Sequence, residues 1–248
     1  MMVDSGIIAS LIVLIFLCFA IPVGGFIYLS VKKKRVAKPF FIGMLVFFIF
    51  QSVIRMTILS FIKQTDWFVS MTGFPWIYGL FMGGTAAVAE EFGRYIAVRY
   101  WLQENRRYVD GIAFGLGHGG FEAMFSVGLN NIANLFVLLS GSSYIAVLIA
   151  TQLSYTVIFI SLFERVFAMI IQIGLSMLVF YAVRSRQLRY LIFALVIHTM
   201  VDASIIILPG IFGLSVYWVE AIVFLAAVGL IIWMVKIRPR FDQEEISL

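Results

Sequence analysis

The chain has 248 residues, of which 62% are hydrophobic and 12% are charged, whereas soluble domains carry roughly 25% charged residues. Its net charge is +5, and the basic residues form short clusters between apolar runs, a pattern typical of membrane proteins and not of nucleic-acid binding. These properties exclude a sizeable water-soluble domain and predict an all-α, polytopic membrane protein.

Seven apolar stretches are each long enough to cross a bilayer as a helix, which takes about 20 residues. The first is too long for the core of a signal peptide and has no basic segment before it, so we interpret it as a retained span. The predicted spans are 6–31, 40–62, 75–100, 109–138, 162–183, 189–208 and 213–235.

One more apolar stretch, 144–161, is long enough to be an eighth span. Most of the 18 lysines and arginines lie in four clusters, and cytoplasmic loops are enriched in these residues. The clusters share one side only if an even number of spans separates Arg107 from Arg184, so we interpret 144–161 as a segment that does not cross. The clusters lie at 32–38, 99–107, 184–189 and 236–240.

The resulting topology has seven spans, or eight if 144–161 crosses, with the N-terminus outside and the C-terminus in the cytoplasm. Residues 1–240 are predicted to form a single transmembrane domain in a cell membrane, and we interpret this membrane as a bacterial plasma membrane. Residues 241–248 are predicted to be a short, acidic, disordered tail on the cytoplasmic side.

Charged residues inside the predicted spans indicate a functional site. Glu90, Glu91 and Arg94 lie in the third span, and the only histidines of the chain, His118 and His198, lie in two others. An ionisable group in hydrocarbon costs from a few to more than about 10 kcal/mol, so such groups are usually functional. Counted from the nearest basic cluster at about 1.5 Å per residue, Glu90, His118 and His198 lie roughly 14–16 Å deep. We therefore expect one shared site in the cytoplasmic half of the membrane.

Two further carboxylates follow the histidines at helical spacing. Glu122 and Asp202 each stand four residues after a histidine, so each pair shares a helix face. We expect these carboxylates to orient the two imidazole rings. Arg94 is close enough to the boundary for its guanidinium to reach the cytoplasmic surface, and from one turn away it favours keeping one of the two glutamates charged.

Four other polar residues in the spans are assigned by the same depth count. Gln51 and Gln172 are predicted in the middle zone, where they are candidates for lining the cavity. Glu164 and Arg165 are predicted about 30 Å from the cytoplasmic boundary, as an interfacial ion pair outside the site.

The chemistry of these groups best matches peptide-bond hydrolysis within the membrane. Adjacent carboxylates at low dielectric cannot both ionise cheaply, which suits Glu90 to be a general base that activates water, assisted by Glu91. The imidazoles of His118 and His198 are suited to stabilise an oxyanion or to bind a metal. Zinc held by the two histidines with Glu90 or Glu122 is one hypothesis, and a metal-free glutamate mechanism is the other.

Three ordered motifs within residues 75–205 carry a family resemblance. Together they resemble the YhfC family of intramembrane proteases, which is similar to the CPBP group, including the type II CAAX prenyl endopeptidase and bacteriocin-processing or immunity proteins. They also resemble the PrsW proteases and the seven-span scaffold subunit of γ-secretase. The motifs are Glu90-Glu91-x-x-Arg94, Gly117-His118-Gly119-x-x-Glu122 and His198-x-x-x-Asp202.

The resemblance implies a role for each matching residue. Glu90 would activate water with the help of Glu91, His118 and His198 would bind the oxyanion or a metal, and Asp202 would support His198. The expected partners are membrane lipid and a membrane-embedded or membrane-associated peptide substrate.

Two alternative functions stay open at this point. Members of the scaffold and immunity branches resemble the proteases without cleaving peptides, so a catalytically silent scaffold is one alternative. Intramembrane Glu, His and Asp sets also serve as proton relays, so a proton-coupled transporter is the other.

In the CPBP pattern the arginine follows the second glutamate by four positions, whereas Arg94 follows Glu91 by three.

Overall fold

A computed structural model describes residues 4–140 and 144–245, with side chains through Phe241. Every regular element in these ranges is a helix, which confirms the all-α fold class. The helices are α1 (Ser5–Lys32), α2 (Ala37–Ile62), α3 (Asp66–Thr72), α4 (Pro75–Ile96, continued by a π-helical turn over Ala97–Trp101), α5 (Tyr108–Leu139), α6 (Tyr144–Gln152), α7 (Tyr155–Arg184), α8 (Arg189–Phe212) and α9 (Val216–Glu245).

Each of the seven predicted spans corresponds to one long helix. Among the described residues, six helices are long and apolar enough to cross a membrane, namely α1, α2, α5, α7, α8 and α9. The seventh, α4, has 22 residues before its π-helical turn but carries the three charged residues Glu90, Glu91 and Arg94. The number of helices that cross and the side on which each terminus lies stay predictions.

The stretch 144–161 does not form one continuous segment. It divides at 153–154 into α6, which has 9 residues, and the start of α7. Such a short helix is only about 13 Å long, less than a bilayer requires. α7 begins at Tyr155, earlier than predicted, because the Ser154 hydroxyl caps it by accepting a hydrogen bond from the Val157 N–H at 3.2 Å.

The C-terminal end of the chain also differs from the prediction. α9 continues to Glu245, so the prediction of disorder from residue 241 was wrong as far as 245, and residues 246–248 lie outside the described ranges. Phe241 is buried because its ring packs against Tyr108 and Tyr181, with centroid separations of 5.6 and 5.5 Å. These contacts extend the hydrophobic core along α9 as far as Phe241.

The packing of the long helices brings the polar segments together. α4 packs most extensively against α8, α5 packs against α2 and α7, and α7 also contacts α8, α9 and α4. A Cβ atom at Gly83 of α4 would lie 2.7 Å from the Thr199 carbonyl oxygen of α8, so glycine permits this close approach. Large apolar side chains such as Phe16 and Phe61 are exposed on the outside, as expected of a multi-pass membrane protein in lipid.

Candidate active site

The second half of α4 carries a buried ion-pair cluster. Glu90, Glu91 and Arg94 are 3%, 0% and 0% exposed. One guanidinium nitrogen of Arg94 lies 3.2 Å from Glu90 Oε2, and the other donates to Glu91 Oε1. The spacings of three and four residues place all three side chains on one face of the helix. Arg94 does not reach the cytoplasmic surface, because two carboxylates bind its guanidinium inside the bundle.

Both histidines reach this cluster from other helices. His118 of α5 is fully buried, and its Nε2 atom lies 2.9 Å from Glu90 Oε2. His198 of α8 places Nδ1 2.7 Å from Glu91 Oε1 and Nε2 4.0 Å from Glu90 Oε2. Asp202 lies one turn further along α8, with Oδ2 3.6 Å from His198 Nε2. The structure thus brings together the residues that the depth count assigned to one layer.

Gln172 of α7 joins the cluster from a fourth helix. Its side-chain oxygen accepts a hydrogen bond from Arg94, and its Nε2 atom lies 3.4 Å from Glu90 Oε2. A Cβ atom at Gly119 of α5 would lie 2.8 Å from the Cβ of Gln172, so any larger residue there would displace α7. The sequence indicated only that Gln172 could line the cavity; its matching depth was the available signal.

Glu122 is positioned differently from the prediction. Its Oε2 atom accepts a hydrogen bond of 2.7 Å from Gln172, and its Oε1 atom lies 3.4 Å from Arg165. These contacts direct the carboxylate towards α7, whereas His118 bonds to Glu90. Arg165 also pairs with Glu164. The two residues assigned to an isolated interfacial pair are therefore linked to the cluster through Glu122 and Gln172.

The two glutamates differ in which oxygen is left free. All described hydrogen bonds and ion pairs of Glu90 involve Oε2, so its Oε1 atom has no such partner among the described residues. Glu91 uses Oε1 for Arg94 and His198, and its buried Oε2 atom has no hydrogen-bond partner in the described part of the chain. Glu90 Oε1 is therefore available to interact with a bound molecule.

An apolar groove runs along the same helix, α4, and none of the cluster residues lines it. It has a volume of about 370 Å³ and runs between α2 and α4. Gly84, Val88 and Ala89 of α4 form one wall, and Ile58 of α2 contributes to the other. Arg55 lies at the groove and donates to the Met82 carbonyl oxygen at 2.8 Å. Ala89 precedes Glu90 in α4, so the groove gives an apolar segment a place to lie along the helix that carries the candidate base.

The donor types at this site resemble those of a catalytic zinc site, which commonly combines imidazole nitrogens with a carboxylate. Among the described residues, however, no group of three or more His, Cys, Asp or Glu is arranged to hold an ion. The guanidinium of Arg94 lies 3.2 Å from Glu90 Oε2, where its positive charge opposes a second cation. Glu122 is engaged by other side chains. As arranged, the predicted residues do not fit a metal.

Comparison with known proteins supports a family relationship. A family model described as YhfC intramembrane metalloprotease matches residues 17–225, a range that contains every residue of the cluster. A Bacillus subtilis (strain 168) protein described as "Uncharacterized membrane protein YhfC" is 30% identical over 246 residues, which cover 91% of this chain and 94% of that protein. No solved structure matches the chain.

Proposed function

Because the chain belongs to the YhfC intramembrane metalloprotease family, we propose that it is an intramembrane endopeptidase that hydrolyses a peptide bond of a membrane-associated substrate. The observation that carries the proposal is the convergence of side chains from four helices on Glu90. His118, Arg94 and Gln172 lie 2.9, 3.2 and 3.4 Å from Oε2 of this glutamate. These donors hold the carboxylate in one orientation and leave Oε1 free.

In the proposed mechanism, Glu90 acts as the general base. Its Oε1 atom removes a proton from water as the water oxygen attacks the carbonyl carbon, and the carbonyl oxygen becomes an oxyanion. The proton then passes from Glu90 to the amide nitrogen as the C–N bond breaks, so the carboxylate is regenerated.

The other members of the cluster position the base and the oxyanion. His118 and Arg94 orient Glu90 through Oε2. Glu91 holds His198 through Nδ1, which directs Nε2 towards the reacting carbonyl. When Nε2 carries a proton, it donates to the oxyanion, a contribution that typically accounts for a large part of catalysis. Asp202 Oδ2 lies 3.6 Å from the same Nε2 atom, where its negative charge favours the protonated ring. No step of this mechanism passes through a metal.

The groove between α2 and α4 supports a membrane-embedded substrate. Its walls are apolar, and it lies beside the residue that precedes Glu90. A helical substrate must expose an unwound peptide bond to be cleaved, and backbone groups freed in lipid need polar partners. The cluster supplies such partners on α4, the helix that also forms one wall of the groove. This arrangement favours cleavage at the edge of an apolar segment.

The proposal is tested by comparing new N-termini in membranes from cells that produce equal amounts of the wild type, Glu90→Gln or Glu164→Gln. Glu164→Gln makes the same chemical change in another intramembrane carboxylate. We expect wild-type protein to generate new N-termini in membrane proteins and Glu90→Gln to reduce them by at least about 100-fold, since a general base typically contributes 10²–10⁴.

Glu164→Gln should retain most of the cleavage products. Equal product levels for Glu90→Gln and the wild type, at equal amounts of folded protein, would contradict the proposal and favour a silent scaffold.

A further inference from the structure

A second cavity lies outside the candidate active site, at the end of the bundle that carries the basic clusters. It has a volume of about 580 Å³, within the roughly 300–1,000 Å³ of small-molecule sites. It lies between the end of α4 and the turn that joins α7 to α8. Arg99, Arg106 and Arg186 line it together with Tyr95 and Leu188. No aspartate or glutamate belongs to its lining.

Two of the three arginines of this cavity donate hydrogen bonds to neutral groups, and the third makes no hydrogen bond or ion pair with the described residues. Arg99 donates to the Tyr95 hydroxyl at 2.7 Å. Arg106 donates to the carbonyl oxygens of Val98 and Arg99 at 3.2 and 2.8 Å. Arg186 is exposed and makes no hydrogen bond or ion pair with any described residue. Three positive charges therefore surround one space without a carboxylate in its walls.

The crowding of positive charge has an energetic cost. Burial and the nearby guanidinium of Arg99 both lower the pKa of Arg106, so the charged form of Arg106 is disfavoured in this place. An anion between the guanidinium groups would offset that cost.

Arg186 also holds a left-handed backbone conformation with φ 56°, which is uncommon for a residue other than glycine.

The walls and the position of the cavity distinguish between possible sources of the anion. Leu188 and Val183 give it apolar surface, and Leu188 is 56% exposed. Tyr100 and Trp101 lie at the same level and are 58% and 37% exposed, as aromatic residues at a membrane–water interface are. A soluble phosphate needs no apolar wall. A phospholipid brings its phosphate and its acyl chains to this depth together.

We propose that this cavity binds the phosphate of an anionic phospholipid between the guanidinium groups of Arg99, Arg106 and Arg186, with the acyl chains leaving past Leu188. Basic pockets between membrane helices bind lipid headgroups in this way. The site shares no residue with the cluster around Glu90, so it goes beyond the proposed proteolysis and does not depend on it.

The test uses the full-length chain purified in an uncharged detergent. Native mass spectrometry measures the binding of phosphatidylglycerol, of phosphatidylcholine with the same acyl chains, and of inorganic phosphate. Arg186→Asn is the variant, because asparagine tolerates a left-handed conformation. Arg35→Asn is the matched control: Arg35 is also exposed with φ 65°, but it lines a separate cavity that contains Glu104.

Wild-type protein is expected to bind phosphatidylglycerol more tightly than phosphatidylcholine. Arg186→Asn should weaken phosphatidylglycerol binding about fivefold, as removal of one arginine near a lipid phosphate implies, and Arg35→Asn by less than twofold. Equal losses in the two variants, or equal binding of the two lipids, would overturn the proposal. Displacement of phosphatidylglycerol by millimolar inorganic phosphate would show a free-anion site and overturn the assignment to lipid.

Discussion

The two intramembrane charge clusters of this protein differ in how completely they are enclosed. Around Arg94, the ion-paired side chains of Glu90 and Glu91 are at most 4% exposed, and the partners come from four helices. Around Arg165, the side chains of Glu164 and Glu122 are 29% and 21% exposed, and one partner is simply the preceding residue. A cluster assembled from distant parts of the chain requires the fold to hold it, whereas a pair of neighbours does not.

The difference supports the proposal that the cluster around Arg94 carries the reaction. Among the described residues, this cluster leaves one oxygen of Glu90 free and contains two imidazoles. The cluster around Arg165 contains no histidine, and its hydrogen bonds point back to Gln172 through Glu122. Its position behind Gln172 suits it to support the first cluster and not to carry a reaction of its own. The predictions below test this contrast.

The largest effect on the free energy of unfolding is expected from replacing Arg94, and the replacement of Arg165 serves as the comparison. Arg94→Met leaves two buried carboxylates without their cation, and breaking a buried ion pair typically costs about 3–5 kcal/mol. Arg165→Met leaves carboxylates that are 21% and 29% exposed, so its cost should be smaller, about 1 kcal/mol. The free energy of unfolding in mixed micelles, measured for both variants and the wild type, checks the difference.

Equal destabilisation by Arg94→Met and Arg165→Met would show that the two clusters are energetically alike and would remove the basis of the contrast. Methionine is chosen for both because it keeps an unbranched apolar side chain of similar length, so that lost packing affects the two variants in the same way.

The sequence was sufficient to predict the long helices and the meeting of Glu90 with the two histidines. Apolar length and basic boundaries set the spans, and helical rise placed Glu90, His118 and His198 at one depth. Helical periodicity does not determine which of several neighbouring groups a long side chain binds. Arg94 therefore turned inwards to two carboxylates although its depth allowed it to reach the surface.

Features that depend on tertiary contacts or on single caps were missed. The short helix α3 and the division of 144–161 at Ser154 follow from local hydrogen bonds that an apolar stretch does not reveal. Glu122 shares a helix face with His118, yet it bonds to Gln172 and Arg165 of α7, while His118 bonds to Glu90. A spacing of four residues shows which side chains can meet and not which do.

An intermediate effect is expected at Gln172, the residue that connects the two clusters. Gln172→Leu preserves volume but removes one hydrogen-bond partner each from Arg94 and Glu122, and a buried polar group that loses its partner costs about 1–3 kcal/mol. We expect kcat for a peptide identified from the new N-termini to fall roughly 10- to 100-fold with little change in KM, because the base is misoriented while the groove is intact.

The matched control for Gln172 is Ser176, which lies one turn further along α7. Within the described ranges, its hydroxyl bonds only to the Gln172 carbonyl oxygen, at 2.7 Å, so Ser176→Ala should change neither constant by more than about twofold. If Ser176→Ala reduced kcat as much as Gln172→Leu, the effect would reflect the packing of α7 and not the positioning of Arg94.

The smallest effect is expected from metal removal. Arg94 already supplies a positive charge 3.2 Å from Glu90 Oε2, and this charge opposes a second cation on the same carboxylate. Chelators should therefore change cleavage by less than about twofold, and purified protein should hold much less than one zinc per chain by elemental analysis. A protein with one zinc per chain, lost in the double variant His118→Ala/His198→Ala and needed for cleavage, would contradict this prediction. In that case Arg94 would have to release Glu90 before the metal bound, and the contrast between the clusters would then describe an inactive arrangement.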